Sequence, residues 1–271
     1  MFALLQKLIP KHLISRMIGK IAASENALIK AILIGAFKKT YNVSLLNAER
    51  KKVKEYRSFN DFFTRKIELE TNQKPPEENL IYSPAEGSVS QFGKIEEGRL
   101  LQAKGQSYSL TELSQIDPQP FLNGSFLTIY LSPSNYHRVH LPVSAMLQQT
   151  ISIPGSLYSV NSVTEKSISD LFCKNERLVC QFLTDSGPIL VILVGAMIVA
   201  SIETTWDGPP SPYTQREKNN HHLNFSSCAE IGRFFLGSTV ICCFPPKTFV
   251  LDDHLKVGSK LDVCSPIGTK I

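Results

Sequence analysis

From residue 81 to its C-terminus the chain is written in short apolar, β-branched runs separated by Gly, Pro, Asn and Ser, at 88–92, 126–131, 147–153, 178–183, 189–194, 197–203, 232–236 and 239–244. Runs this short, with turn residues between them, build strands. Helical interludes are predicted at 110–115 and 167–170. The first 43 residues read differently. Leu5, Leu8, Ile9, Leu13, Ile14, Met17, Ile18 and Ile21 recur at helical spacing, and a more apolar stretch follows at 27–37. Pro10 is expected to start or kink the first of these helices. The predicted fold class is α+β: basic amphipathic N-terminal helices on a compact β-rich core of many short strands. The expected divisions are a helical region at 1–45, a short helix and linker at 46–80, and a β-rich catalytic domain at 81–271. Ser58 or Asn60 is expected to cap the short helix, and Pro75-Pro76 marks the linker.

The 271 residues carry 29 Lys and Arg against 24 Asp and Glu, a net charge of +5. The excess is small and concentrated near the N-terminus, so no nucleic-acid partner is expected. There Lys7, Lys11, Arg16, Lys20, Lys30, Lys38 and Lys39 face one acid, Glu25. These bases interrupt any apolar stretch of a signal peptide. A basic amphipathic helix can lie in an anionic membrane interface, or it can pack on its own domain with a solvated basic face. The apolar run from Ile189 to Ile202 is too short to span a bilayer and reads as buried strand. The six cysteines form no CxxC pair, which points to reduced structural thiols. Cys242 and Cys243 are expected to face opposite ways on one strand.

Three segments could carry chemistry. Glu86 sits in a tight turn, 83–87, just before a strand. His137 and His140 lie three apart in Tyr136-His137-Arg138-Val139-His140, and imidazole is the side chain suited to move protons near neutral pH. A metal site would need a third ligand, and none is evident. Ser238 follows Gly237 ahead of an apolar run. As a nucleophile it would need a base and an orienting acid, which His137 or His140 and Glu86 could supply. His221-His222 read as a solvent-facing polar loop, and Trp206 with Asp207-Gly208 as an exposed turn at a site rim. No Walker A or GxGxxG motif is present.

These residues, taken together, bring a family into view. Phe59-Asn60-Asp61-Phe62-Phe63, Leu101-Gln102-Ala103-Lys104-Gly105, Tyr130-Leu131-Ser132-Pro133, the His137–His140 segment, Ile153-Pro154-Gly155, Asn175-Glu176-Arg177, Ser201-Ile202-Glu203-Thr204 and Leu236-Gly237-Ser238-Thr239 follow one another in an order that resembles the proteobacterial, pyruvoyl-dependent phosphatidylserine decarboxylases. The resemblance covers most of the chain. It implies a proenzyme that cuts itself between Gly237 and Ser238 into a large chain, 1–237, and a small chain, 238–271, which stay together as a heterodimer. His140 would be the base on Ser238, with Glu86 orienting it. The covalent pyruvoyl group derived from Ser238 would form a Schiff base with the amine of phosphatidylserine and accept electrons as CO₂ leaves, giving phosphatidylethanolamine. His137 would position the carboxylate or protonate the carbanion. No metal is implied. The expected location is peripheral, on an anionic membrane surface at the cytoplasmic face of the bacterial inner membrane, and homo-oligomers are admitted.

One departure stands out. The family's Pro-Ala-Asp-Gly motif is here Pro84-Ala85-Glu86-Gly87. The added methylene shifts where the carboxylate can reach, so slow processing is expected. The alternatives are a processing-impaired, inactive chain and a Ser-His-acid lipid hydrolase that stays whole.

Overall fold

The computed structural model describes residues 11–69, 75–103, 105–196, 202–208, 211–235 and 238–271. Pro10, the 197–201 part of one expected strand, and Gly237 lie outside them.

Two helices open the described chain, α1 (Lys11–Ala22) and α2 (Ala27–Tyr41). Asn26 Oδ1 accepts the free N–H groups of Leu28 and Ile29, which fixes where α2 starts. Asn42, at φ 52°, stops it. The short helix α3 (Phe59–Phe63) is capped by Ser58, whose Oγ accepts from Asp61 N. Phe59, Phe62 and Phe63 are buried against Ile34, Phe37 and Tyr56, so the N-terminal helices and α3 share one aromatic core. Further on come α4 (Leu110–Ser114), α5 (Ser162–Ser167) and α6 (Leu171–Lys174). The helix expected at 167–170 is therefore displaced. Asp170 adopts φ 53° and separates two short helices, because a left-handed residue cannot continue a right-handed turn.

The strands are β1 (Leu80–Tyr82), β2 (Gly87–Lys94), β3 (Arg99–Ala103), β4 (Gln106–Ser109), β5 (Ser125–Leu131), β6 (Arg138–His140), β7 (Ala145–Ile153) and β8 (Arg177–Thr184). They continue with β9 (Gly187–Gly195), β10 (Ile202–Thr204), β11 (Glu217–Phe225), β12 (Glu230–Phe234), β13 (Ser238–Phe244), β14 (Phe249–Leu251), β15 (Lys260–Leu261) and β16 (Pro266–Lys270). Eight form one antiparallel sheet in the order β11-β7-β8-β9-β13-β5-β2-β15. A small sheet, β10-β12-β6, packs on one face. Its Val139, Ile202, Ile231 and Phe234 share a core with Leu127, Ile129, Leu193 and Val240 of the large sheet. The other face is covered by α4, α6, the β3–β4 hairpin and the turn Gln119–Phe121, through Leu110, Phe172, Tyr108 and Phe121 packed on Phe126, Ile192 and Ile241. Both faces of the central strands are thus dry, which is why β9 and β13 are almost unbroken apolar runs. Cys242 and Cys243 fall into the two different cores, as strand alternation requires.

The segment with His221-His222 is a correction. It is not a loop but part of β11, the sheet's edge, which pairs with β7 on either side of an irregularity at these two residues. Its composition is polar because one side of it meets water. His221 Nε2 pairs with Thr150 Oγ1 at 2.9 Å. Trp206 is packed edge-on to His221 and Phe225, and so is partly buried.

Candidate active site

Ser238 is the first residue of β13, in register with Leu131 of β5 on one side and Gly195 of β9 on the other. By alternation its side chain lies on the face of Val240 and Cys242, the face on which the small sheet packs. Two crossovers link the sheets there. One, at 132–137, leads from β5 to β6, and the other joins the end of β12 at Phe234 to the start of β13 at Ser238. Because β5 pairs with β13 and β6 with β12, the two crossovers have neighbouring ends at both sheets. Phe234 N–H donates to His137 O at 2.9 Å and ties them at the small sheet. Ser238 therefore begins β13 beside the end of β5, the strand from which the histidine segment departs.

Asn135 organises that first crossover. Its Oδ1 accepts from Ser132 N at 2.8 Å and Ser132 Oγ at 2.6 Å, and its Nδ2 donates to Glu86 Oε1 at 2.7 Å. The turn carrying Glu86 is held by Ser83 Oγ donating to Ala85 O and by His140 N–H donating to Pro84 O, both at 2.8 Å. Gly87 closes the turn because a Cβ there would stand 2.5 Å from Tyr130 O. Glu86 and His140 are thus neighbours along the backbone, yet the carboxylate goes to Asn135. The expected Glu86–His140 hydrogen bond is not present.

His140 is oriented by other groups. Its Nδ1 lies 2.7 Å from Cys228 O and its Nε2 lies 3.2 Å from Tyr136 Oη. A carbonyl can only accept, so in the neutral ring Nδ1 carries the proton and the Nε2 lone pair accepts from the phenol. Burial lowers the pKa of His140 and raises that of Tyr136, which keeps the first a neutral base and the second a proton donor. The proton acceptor is therefore Nε2. In this arrangement Ser238 is not its partner.

His137 is fully buried and stacks on Phe63 of α3, with ring centroids 4.1 Å apart. Neither ring nitrogen makes a hydrogen bond of good geometry, although the backbone carbonyls of Pro133 and Ser132 lie close enough to favour its protonated form weakly. Burial, reinforced by the positive charge of Arg65, pushes its pKa down to about 3. Arg65 is itself buried, with Nη2 on Ser134 O at 3.1 Å and Nη1 unpartnered, and Glu86 is its nearby countercharge. Ser238 Oγ is buried with no partner at all. Unmet polar atoms are uncommon in a folded interior. Here Ser238, His137 and Arg65 supply them around one pair of crossovers. Among the described residues no group of His, Cys, Asp or Glu could hold a metal.

The structure thus brings Glu86, His137 and His140 to the crossovers beside Ser238, although it hydrogen-bonds none of them to that residue. Asn135, Arg65, Phe63 and the Cys228 carbonyl were missed in the sequence. Asn135 adjoins the histidine motif, and Arg65 follows the Phe59–Phe63 motif by two residues; a backbone carbonyl leaves no signature.

The family model described as phosphatidylserine decarboxylase matches residues 59–269, and a second, described as PSD, matches residues 1–42. The chain is 48% identical over 262 residues to a protein of Acinetobacter baumannii (strain SDF) named phosphatidylserine decarboxylase proenzyme, covering 96% of this chain and 92% of that one. Proteins of the same name from Psychrobacter cryohalolentis and Ectopseudomonas mendocina are 45% identical over 246 residues and 41% identical over 278. They cover 90% and 99% of this chain and 89% and 97% of their own lengths.

Proposed function

The chain belongs to the phosphatidylserine decarboxylase family, and from that premise we propose that it matures by cutting itself between Gly237 and Ser238 and then converts phosphatidylserine to phosphatidylethanolamine with a pyruvoyl group made from Ser238. The observation that carries this reading is the Ser238 hydroxyl, buried without a partner at the first residue of a strand entered from a crossover.

Ser238 Oγ attacks the Gly237 carbonyl carbon while His140 Nε2, released from the Tyr136 phenol, takes the hydroxyl proton. The Gly237–Ser238 C–N bond breaks, the proton passes to the freed amine, and an ester joins Gly237 to Oγ. Elimination then removes the Cα proton of residue 238 as the Cβ–Oγ bond breaks, leaving Gly237 as a carboxylate and an enamine at residue 238. A proton returns to Cβ, giving an imine, and water adds to its carbon so that ammonia departs and a keto group remains. Ser238 suits that fate, since losing the hydroxyl removes an unmet donor from a dry site. The pyruvoyl group supplies a carbonyl that captures the substrate amine and takes up the electron pair left by CO₂. His137, neutral and with neither ring nitrogen in a well-aligned hydrogen bond, is the residue suited to bind the reacting headgroup or return its proton.

The cut does not free the small chain. Residues 238–271 contain β13, between β9 and β5 at the centre of the large sheet, and β15 and β16, which pair with β2 and β1. A peripheral site on an anionic bilayer is supported by α2, which is apolar on both sides. Leu33, Ile34 and Phe37 face the aromatic core, while Leu28 and Ile32 are 69% and 60% exposed, with Lys38 and Lys39 in the last turn. No described helix is long and apolar enough to cross a membrane.

Reductive trapping tests the reading. Phosphatidylserine vesicles with cyanoborohydride should attach lipid to the 238–271 chain and stop turnover. Turnover without attachment, or attachment elsewhere, would refute it.

A further inference from the structure

Where β8 begins, a ladder bond is missing and a side chain replaces it. Gly195 N–H donates to Glu176 O at 2.9 Å. The return bond would run from Glu176 N–H to Gly195 O, but that N–H goes to Ser156 O at 2.9 Å. Asn175, which is fully buried, fills the gap, its Nδ2 donating to Gly195 O at 2.9 Å. The same carboxamide grips the loop after β7. Nδ2 also donates to Tyr158 O at 2.9 Å, and Oδ1 accepts from Tyr158 N at 3.0 Å. The loop comes close enough only because residue 155 is glycine. A Cβ there would lie 2.6 Å from Asn175 C and Glu176 N.

This clasp bears on Ser238 through the ladder. Gly195 uses both backbone groups on the β8 side, so it faces Ser238 as a pair that exchanges no hydrogen bonds. Alternation then turns the N–H and C=O of Ser238 toward Leu131 of β5. The nitrogen of the bond to be cut is therefore aimed away from β9, and the end of β9 is held in place by Asn175 instead of by Ser238. We propose that Asn175 is a positioning residue for self-cleavage. Its carboxamide locks the end of β9 and the Tyr158 loop into one body, against which Ser238 is set at the angle its attack requires. This rests on the reading of Ser238 as the cut site.

The test is the first-order rate of fragmentation of freshly made full-length chain, well below each variant's melting temperature, for wild type, Asn175→Ala and Asn175→Asp. Asn175→Asp keeps the acceptor for Tyr158 N and the volume but loses both donated bonds, so it remains informative if the alanine variant does not fold. Phe182→Leu, in the core away from Ser238, serves as a control for lost stability alone. Hydroxylamine provides a second readout, because it cleaves an ester already formed between Gly237 and Ser238 Oγ, leaving a hydroxamate and a serine-initiated small chain. The expected result is fragmentation slowed at least about tenfold in the folded Asn175 variants, about 1.4 kcal/mol of activation free energy. Hydroxylamine should not restore it, since the attack and not the elimination is lost, and Phe182→Leu should cut at the wild-type rate. Folded Asn175 variants that cut like wild type, or are rescued by hydroxylamine, would overturn the positioning role alone. A wild-type chain that never cuts would overturn the reading beneath it.

Discussion

The Glu86 carboxylate accepts a 2.7 Å hydrogen bond from Asn135, whose own carbonyl oxygen grips Ser132 immediately after the residue in register with Ser238. The acid therefore acts on the crossover beside the proposed cut site and on the Arg65 charge, and reaches His140 only through the backbone of its turn. Asn135→Ala should leave the carboxylate unheld, and Glu86→Gln should remove its charge while keeping an acceptor. Both should slow self-cleavage by about tenfold or more, the scale of losing one charge-assisted hydrogen bond. Fragmentation followed by gel decides it, and a wild-type rate in Asn135→Ala would show that the Glu86 contact is incidental.

In the proposed self-cleavage the base is the neutral Nε2 of His140, and burial lowers that ring's pKa. A lowered pKa keeps the base unprotonated to lower pH. The cutting rate should therefore stay level from neutrality to below pH 6.5, the ring's ordinary value, and fall only in more acidic buffer. His140→Ala should slow the cut by about 10²- to 10⁴-fold. Initial rates against pH provide the check, and a decline centred at or above pH 6.5 would contradict it.

His137 should make the fold acid-sensitive. Its folded pKa of about 3 lies below the ordinary 6.5, so between these values the unfolded chain binds a proton that the folded chain refuses. Stability then rises with pH across that window, and is lost as pH falls from 6.5 toward 3. In an uncut Ser238→Ala background, His137→Phe should flatten the acid limb by up to about 1.4 kcal/mol per pH unit. Urea unfolding between pH 4 and 7 measures this, and an unchanged slope would refute it.

Leu28 and Ile32 are exposed on α2, so charging them should cost the fold little. Leu28→Asp with Ile32→Asp should shift the melting temperature only slightly, yet strongly reduce co-sedimentation with anionic vesicles. Equal sedimentation of variant and parent would place the lipid contact elsewhere.

The central strands of the large sheet were legible because both faces of its centre are covered, and burial leaves nearly unbroken apolar runs such as 189–194 and 239–244. The edge strand β11 was not, because an edge faces water and its Asn and His residues read as loop. The break at Asp170 depends on one left-handed residue that patterning does not mark. At the site, the side chains that bear chemistry were visible as residue types, and the family resemblance assigned their roles. What holds them was hidden, since the Cys228 carbonyl that sets the His140 tautomer is backbone. Arg65 reaches His137 only because α3 brings it across the fold.

The most direct test of the account is an intact-mass spectrum of freshly purified protein followed through incubation. The account predicts two chains, 1–237 ending in a free carboxylate and 238–271 lighter by one ammonia than the same fragment begun by serine, with Ser238→Ala remaining whole. A wild-type chain that stays in one piece through prolonged incubation while it turns over phosphatidylserine, or a small chain that begins with an intact serine amine, would contradict it.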